Sequence, residues 1–391
     1  MLSEVNLMDY TAYFDNAATT FPKPEEVYRF TDHFYRECGV NVGRGQHKLA
    51  AQAALMVKET RNGLLELFHC SNKKIVFTHT ATEALNLILR GLNIGNDYNV
   101  YISPFEHNAV TRVLYALEGV YRINIIQIAF DKNTMQYDMA RIKNQFSEKK
   151  PHWMIVSHAS NVCGVVAPIH ELSNLSKKYG AINIIDMCQT AGLIDTDLSS
   201  DNIDFAVFAG HKTLYAPLGV AGIISSFSIK LNPLIYGGTG VESANQSLPE
   251  TIPERYEVAS PDVMAISGLH AALNWISKTS IRNIYQAEQH NYLRLIEILK
   301  QYSNIKVVSC GQADCIGVVS CVFDGYSSDN IGQILSNHNV AVRTGLHCAP
   351  AAHKFLGTFP AGTVRFSVSY FNSDKDFEIL SEALNYIEQN S

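Results

Sequence analysis

From Lys74 to Phe208 short apolar runs alternate with longer segments whose apolar residues recur at three- and four-residue spacing. No other feature restricts the fold as strongly. Residues 74–78, 100–103, 122–128, 153–158, 181–186 and 205–208 read as strands. Helical patterns separate them at 82–91, 109–117, 139–146 and 169–179. Strands joined through helices predict an α/β protein with a mostly parallel sheet covered on both faces. Ligands in such sheets sit at the carboxyl ends of the strands.

At 391 residues the chain is too long for one small core, and two domains are expected. Residues 1–265 would form an N-terminal segment and a large domain. Residues 266–391 would form a smaller α+β domain, with strands near 306–308, 317–323, 340–343 and 363–369. Further helices are predicted at 25–38, 47–68, 263–276, 283–302, 328–336 and 374–389, and a glycine-rich loop at 41–47. The net charge of −6 argues against nucleic-acid or anionic-membrane partners. No apolar run reaches the length of a membrane span. Residues 1–10 lack the apolar stretch of a signal peptide. The eight cysteines have no CxxC pair or zinc-ligand spacing; Cys310, Cys315 and Cys321 suit a buried cluster. A cytoplasmic protein with reduced thiols is expected.

Several residues point to chemistry. Lys212 lies in a Gly-His-Lys turn between two apolar runs, where loss of water favours the neutral amine, able to form a Schiff base. Asp186 ends an apolar strand and needs a cation, such as a pyridinium nitrogen, or else caps the next turn. Gln189 follows three positions on. Ala81 and Thr82 sit where a strand becomes a helix, a place suited to a phosphate. His107 at another strand end could stack on a flat ring or move protons, and Asn161 could reach the same ring. Cys348 lies in a small-residue loop, where nearby Arg343 and His347 would favour its thiolate. Arg365 in an apolar strand needs a carboxylate, from an amino-acid substrate or from an internal ion pair.

The ordered set Tyr13-Phe14-Asp15-Asn16-Ala17-Ala18-Thr19-Thr20, Thr82-Glu83-Ala84, Glu106-His107-Asn108, Ser160-Asn161-Val162, Gly210-His211-Lys212 and Arg343-Thr344-Gly345-Leu346-His347-Cys348 resembles the class V aminotransferases. Within them the likeness is to group II cysteine desulfurases and selenocysteine lyases, and it runs from about Tyr13 to Gln389. The resemblance implies fold type I, with a seven-stranded type of central sheet. It also implies pyridoxal 5'-phosphate as cofactor and a homodimer with active sites at the subunit interface. Carried over, it makes Lys212 the cofactor-bonding lysine and Asp186 the partner of the ring nitrogen. Gln189 and Asn161 would contact the cofactor, with Asn161 also near substrate, and His107 would stack on the ring. Thr82 and His211 would hold the phosphate, and Ser260 would reach that of the neighbouring subunit. Arg365, with Arg343, would bind the substrate carboxylate, and Cys348 would accept sulfur from L-cysteine and pass it to a sulfur acceptor protein. Ala209, Met187, Cys188 and Val258-Ala259-Ser260-Pro261 depart from the usual pattern. They leave open selenocysteine, or a β-elimination or transamination in which Cys348 is incidental. Cys188 and Cys163 would be packing residues, or an additional thiol near the substrate.

Overall fold

The computed structural model describes residues 10–42, 45, 47–242, 244–308 and 314–390. The first nine residues, positions 43, 44 and 46 of the glycine-rich loop, and Cys310 lie outside them. A seven-stranded sheet runs in the order Lys74–Thr78, Ala221–Ser225, Phe205–Ala209, Ile182–Asp186, Trp153–Ser157, Asn99–Ile102, Asn124–Gln127. Ala221–Ser225 alone runs against the other six strands. The side-chain period of two divides these strands between two cores. Met154, Val156, Ile185, Ala206 and Phe208 face one, and Trp153, Ile155, Ile184, Val207 and Ala209 face the other. The helix Val263–Thr279 packs on Glu25–Cys38 and Lys48–Leu67 over the first core.

A second, antiparallel sheet has the order Ile305–Val308, Val318–Phe323, Thr363–Ser367, Arg343–Gly345. The expected strand at 340–343 is two short ones. Val340–Ala341 pairs in parallel with Ala12–Tyr13, and Arg343–Gly345 turns onto Thr363–Ser367. The N-terminal segment therefore packs on the C-terminal unit. Ala12 and Phe14 are fully buried in its core, where the Phe14 ring meets Phe377 at 5.5 Å and Phe366 at 6.4 Å. A two-residue strand has no periodicity to read, and its partner lies more than three hundred positions away. Phe14→Ala is expected to cost about 3–5 kcal/mol through the cavity it leaves. A denaturant titration measures this as a lower midpoint.

The cysteines differ from expectation at one place. Cys315 is disulfide-bonded, because a sulfur that the fold brings within bonding reach is not visible from spacing. Cys38, Cys70, Cys163, Cys188 and Cys321 are free and buried, and Cys348 is free and half-buried. Among the described residues no helix is long and apolar enough to cross a membrane.

Candidate active site

The carboxyl ends of the parallel strands converge on a cavity of about 280 Å³. Asp186, Gln189, His107, Asn161, His211, Lys212, Ala81, Thr82, Arg343 and Arg365 all line it. Asp186 is 7% exposed, and its Oδ1 accepts from the Cys188 amide at 2.9 Å. Among the described residues no cation pairs with it. A carboxylate so placed is costly until a positive group arrives. Thr80 caps the helix Ala81–Gly91 by accepting from the Glu83 amide at 3.1 Å. The amides of Ala81 and Thr82, in the first turn, are left without intrahelical partners, which suits an anion.

Lys212 is held by contacts to backbone. The His211 carbonyl accepts from Lys23 Nζ at 2.6 Å, Thr19 Oγ1 at 3.0 Å and the Thr20 amide at 3.1 Å. The Lys212 carbonyl accepts from Thr20 Oγ1 at 2.8 Å. This clamp fixes the turn and leaves the Lys212 amine without a partner among the described residues. Thr19 and Thr20 end the motif at the chain start and Lys23 lies three residues beyond it, yet nothing local in the sequence assigns them this task. Burial pulls the Lys23 ammonium down to about 7. His211 falls to about 3 through burial and the nearby Lys212 and Lys23, and its Nδ1 is buried without a partner. Glu106 belongs to the Glu106-His107-Asn108 motif, but nothing in the sequence gives it a role. It accepts from Ser103 Oγ at 2.5 Å and from the Ser157 amide and hydroxyl at 2.7 and 2.9 Å, tying two strand ends beneath the cavity.

His107 is the N-cap of the helix Asn108–Glu118, its Nδ1 accepting from the Ala109 amide at 3.0 Å. Burial, then Lys212, lowers it to about 4. The ring is therefore neutral with its proton on Nε2, a flat face and not a cation. His347 corrects the expectation for Cys348. It is 3% exposed, and burial beside Arg365, His353 and Arg343 pulls it down to about 2. A second charge in that dry, cationic place is disfavoured, so His347 lends Cys348 no positive charge. Arg343 does, with Nη2 donating to Cys348 Sγ at 3.3 Å. Arg343→Ala is expected to slow alkylation of Cys348 by iodoacetamide at neutral pH several-fold, read from peptide mass against time.

Consecutive left-handed residues, His347 at φ 47° and Cys348 at φ 57°, build the Cys348 loop. Non-glycine residues there cost of order 1–2 kcal/mol each. Asn161 Nδ2 holds the His347 carbonyl at 2.7 Å, and the Asn108 amide holds that of Cys348 at 2.7 Å. Asn161 thus braces the loop as well as lining the cavity. Gln189 Nε2 is spent on the Ala17 carbonyl at 2.9 Å. Arg365 takes the internal alternative: Nη2 pairs with Asp15 at 2.6 Å, Nη1 donates to the Asn161 carbonyl at 3.0 Å, and buried Nε has no partner. Arg343 lies directly opposite it across the strand pair. Two guanidinium groups so placed repel unless an anion lies between or beside them.

Ser260 is not brought to this cavity. It is exposed and accepts from Asn41 Nδ2 at 3.1 Å. Among the departing residues, Ala209 and Cys188 line the cavity while Met187 is buried away from its wall, as is Cys163, which is thus a packing residue. Burial beside Asp186 pushes the Cys188 thiol well up, so it stays protonated and unreactive.

Residues 12–380 match the family described as Aminotransferase class-V. The chain belongs to that family. A Methanothermobacter thermautotrophicus protein named probable cysteine desulfurase is 27% identical over 394 residues, covering 98% of this chain and 96% of that protein. One of the same name from Vibrio cholerae is 30% identical over 390 residues, covering 95% and 92%. The apo structure of a cysteine desulfurase from Thermococcus onnurineus superposes with a TM-score of 0.89 at 27% identity, covering 97% of this chain and 95% of that one. As a class V member, the chain has the α/β architecture that its sequence pattern predicts.

Proposed function

We propose that this family member is a pyridoxal-phosphate-dependent cysteine desulfurase, taking sulfur from L-cysteine onto Cys348 and releasing L-alanine. The residues present fit the cofactor. A buried, cation-free Asp186 suits the ring nitrogen, the unpartnered Lys212 amine suits the aldehyde, and neutral His107 offers a face for the ring. The open amides of Ala81 and Thr82, with the unsatisfied His211 Nδ1, suit the phosphate. Bound there, the cofactor supplies an electron sink that stabilises negative charge next to the substrate α-carbon.

The chain's own groups do the rest. Arg343 and the free Nε of Arg365 attract the substrate carboxylate, whose charge relieves the repulsion between the two guanidiniums. Lys212 Nζ, once free, takes the α-proton and returns a proton to the three-carbon product. Cys348 Sγ, held beside Arg343, attacks the substrate sulfur; an S–S bond forms as the Cβ–S bond breaks, leaving a persulfide on Cys348. The observation that carries this reading is the braced Cys348 loop, whose Arg343 and His347 form a wall of the cavity that contains Lys212 and Asp186. Ser260, exposed and apart from its own chain's cavity, supports a homodimer in which it reaches the partner's cavity; sedimentation measures that assembly.

Purified protein supplied with the cofactor, L-cysteine and a reductant is expected to release alanine and sulfide in equal amounts. Pyruvate and ammonia in their place would mean β-elimination. Preference for L-selenocysteine would reassign the substrate.

A further inference from the structure

Behind the Cys348 loop three buried polar side chains, His347, Thr363 and Ser320, form a line. Ser320 Oγ donates to the Val162 carbonyl at 2.7 Å, and Thr363 Oγ1 donates to Ser320 Oγ at 3.0 Å. Thr363 Oγ1 lies 2.8 Å from His347 Nε2. The direction of this last bond follows from the others. A carbonyl only accepts and a hydroxyl has one hydrogen, so that of Ser320 is spent on Val162 and that of Thr363 on Ser320. His347 Nε2 therefore carries the ring proton, and Nδ1, buried without a partner, is bare. Asn161 Nδ2 meanwhile holds the His347 carbonyl at 2.7 Å. Ring and backbone of His347 are thus tied to the adjacent residues Val162 and Asn161, through the strands Val318–Phe323 and Thr363–Ser367 on the ring side.

We propose that Thr363 and Ser320 are positioning residues for Cys348: their hydroxyl relay locks the His347 ring in one tautomer and one orientation, and so holds the next residue beside Arg343. The inference rests on the reading of Cys348 as sulfur acceptor. His347 and Cys348 occupy consecutive left-handed positions, a conformation that persists only where the surroundings over-determine it. Bonds to the carbonyls of His347 and Cys348 hold the backbone of this loop. The relay adds a tie through a side chain, and Cys348 Sγ stays 3.3 Å from Arg343 Nη2. Precision matters there, because a displacement of about 1 Å in a reacting group can slow a step by as much as about 10²-fold. The bare Nδ1 has a second consequence. A further proton on the ring would find no acceptor and would join Arg343, Arg365 and His353, so the ring keeps one charge state.

Two measurements test this. The first is NMR of holoenzyme isotopically labelled at its histidine nitrogens, with the His347 signals assigned by their loss in His347→Gln. A protonated Nε2 and a bare Nδ1 are expected across neutral pH. The opposite tautomer, or an imidazolium, overturns the proposal. No substrate is used, so this result stands apart from the desulfurase reading. The second compares Thr363→Val with Thr363→Ser. Valine keeps the branched shape but leaves Nε2–H without an acceptor, whereas serine keeps the hydroxyl. In Thr363→Val, kcat for alanine release from L-cysteine is expected to fall about tenfold, the scale of one lost buried hydrogen bond. KM should change by less than about twofold, because substrate binding is not what the relay serves. The change in cofactor absorbance on adding L-cysteine should keep its rate, since it precedes sulfur transfer. Thr363→Ser is expected to restore kcat. Equal kcat in the valine and serine variants overturns the proposal. So does a loss in Thr363→Val that moves KM and the absorbance change as much as kcat.

Discussion

Lys212→Ala is expected to yield a folded protein whose turnover of L-cysteine falls about 10²–10⁴-fold, the loss that follows removal of a general base. Folding should survive because the clamp on this turn uses the carbonyls of His211 and Lys212, with Thr19, Thr20 and Lys23 as donors. None of those bonds involves the Lys212 side chain. Among the described residues the amine has no structural partner to lose, so its removal should leave the thermal midpoint nearly unchanged while activity collapses. Added methylamine is expected to restore part of the turnover by supplying the missing base. An inactive variant with a large drop in midpoint and no rescue would show that Lys212 holds the fold instead.

Asp186→Ala acts on the cofactor. Asp186 is 7% exposed, accepts from the Cys188 amide and, among the described residues, has no cationic partner. Its charge is therefore uncompensated until a pyridinium binds. Removing one partner of such a buried pair costs about 3–5 kcal/mol, or roughly two to four orders of magnitude in cofactor affinity. The unaltered protein should gain thermal stability on addition of pyridoxal phosphate, by mass action on the folded state. The variant should gain far less and should lose the cofactor on dialysis. Equal retention in the two proteins would remove Asp186 from the role given to it.

The large sheet was legible because its inner strands are mostly apolar and its helices long enough to show a period. Trp153–Ser157 and Phe205–Ala209 are buried along their full length, and runs of that kind have few alternatives. Strand-end positions then pointed to Asp186, His107 and Asn161, since loops at that edge of a parallel sheet converge. Pairings across long sequence separations stayed hidden. Ala12–Tyr13 beside Val340–Ala341, Arg365 with Asp15, and Lys23 under His211 are each too short or too isolated to leave a pattern. The helix Pro350–Leu356 is two turns long and gave too few residues for periodicity. Charge states were the least legible. His347 looked like a cation beside Cys348, and only its burial among other positive groups shows that it is neutral.

The desulfurase reading requires sulfur from L-cysteine to arrive on Cys348. Holoenzyme mixed with L-cysteine without reductant, then alkylated and digested, tests it by the mass of the peptide carrying Cys348. One added sulfur atom is expected on that peptide, matched by one alanine released, and neither in Cys348→Ala. Alanine or pyruvate formed at an undiminished rate by Cys348→Ala, with no sulfur on the peptide in the unaltered protein, would contradict it.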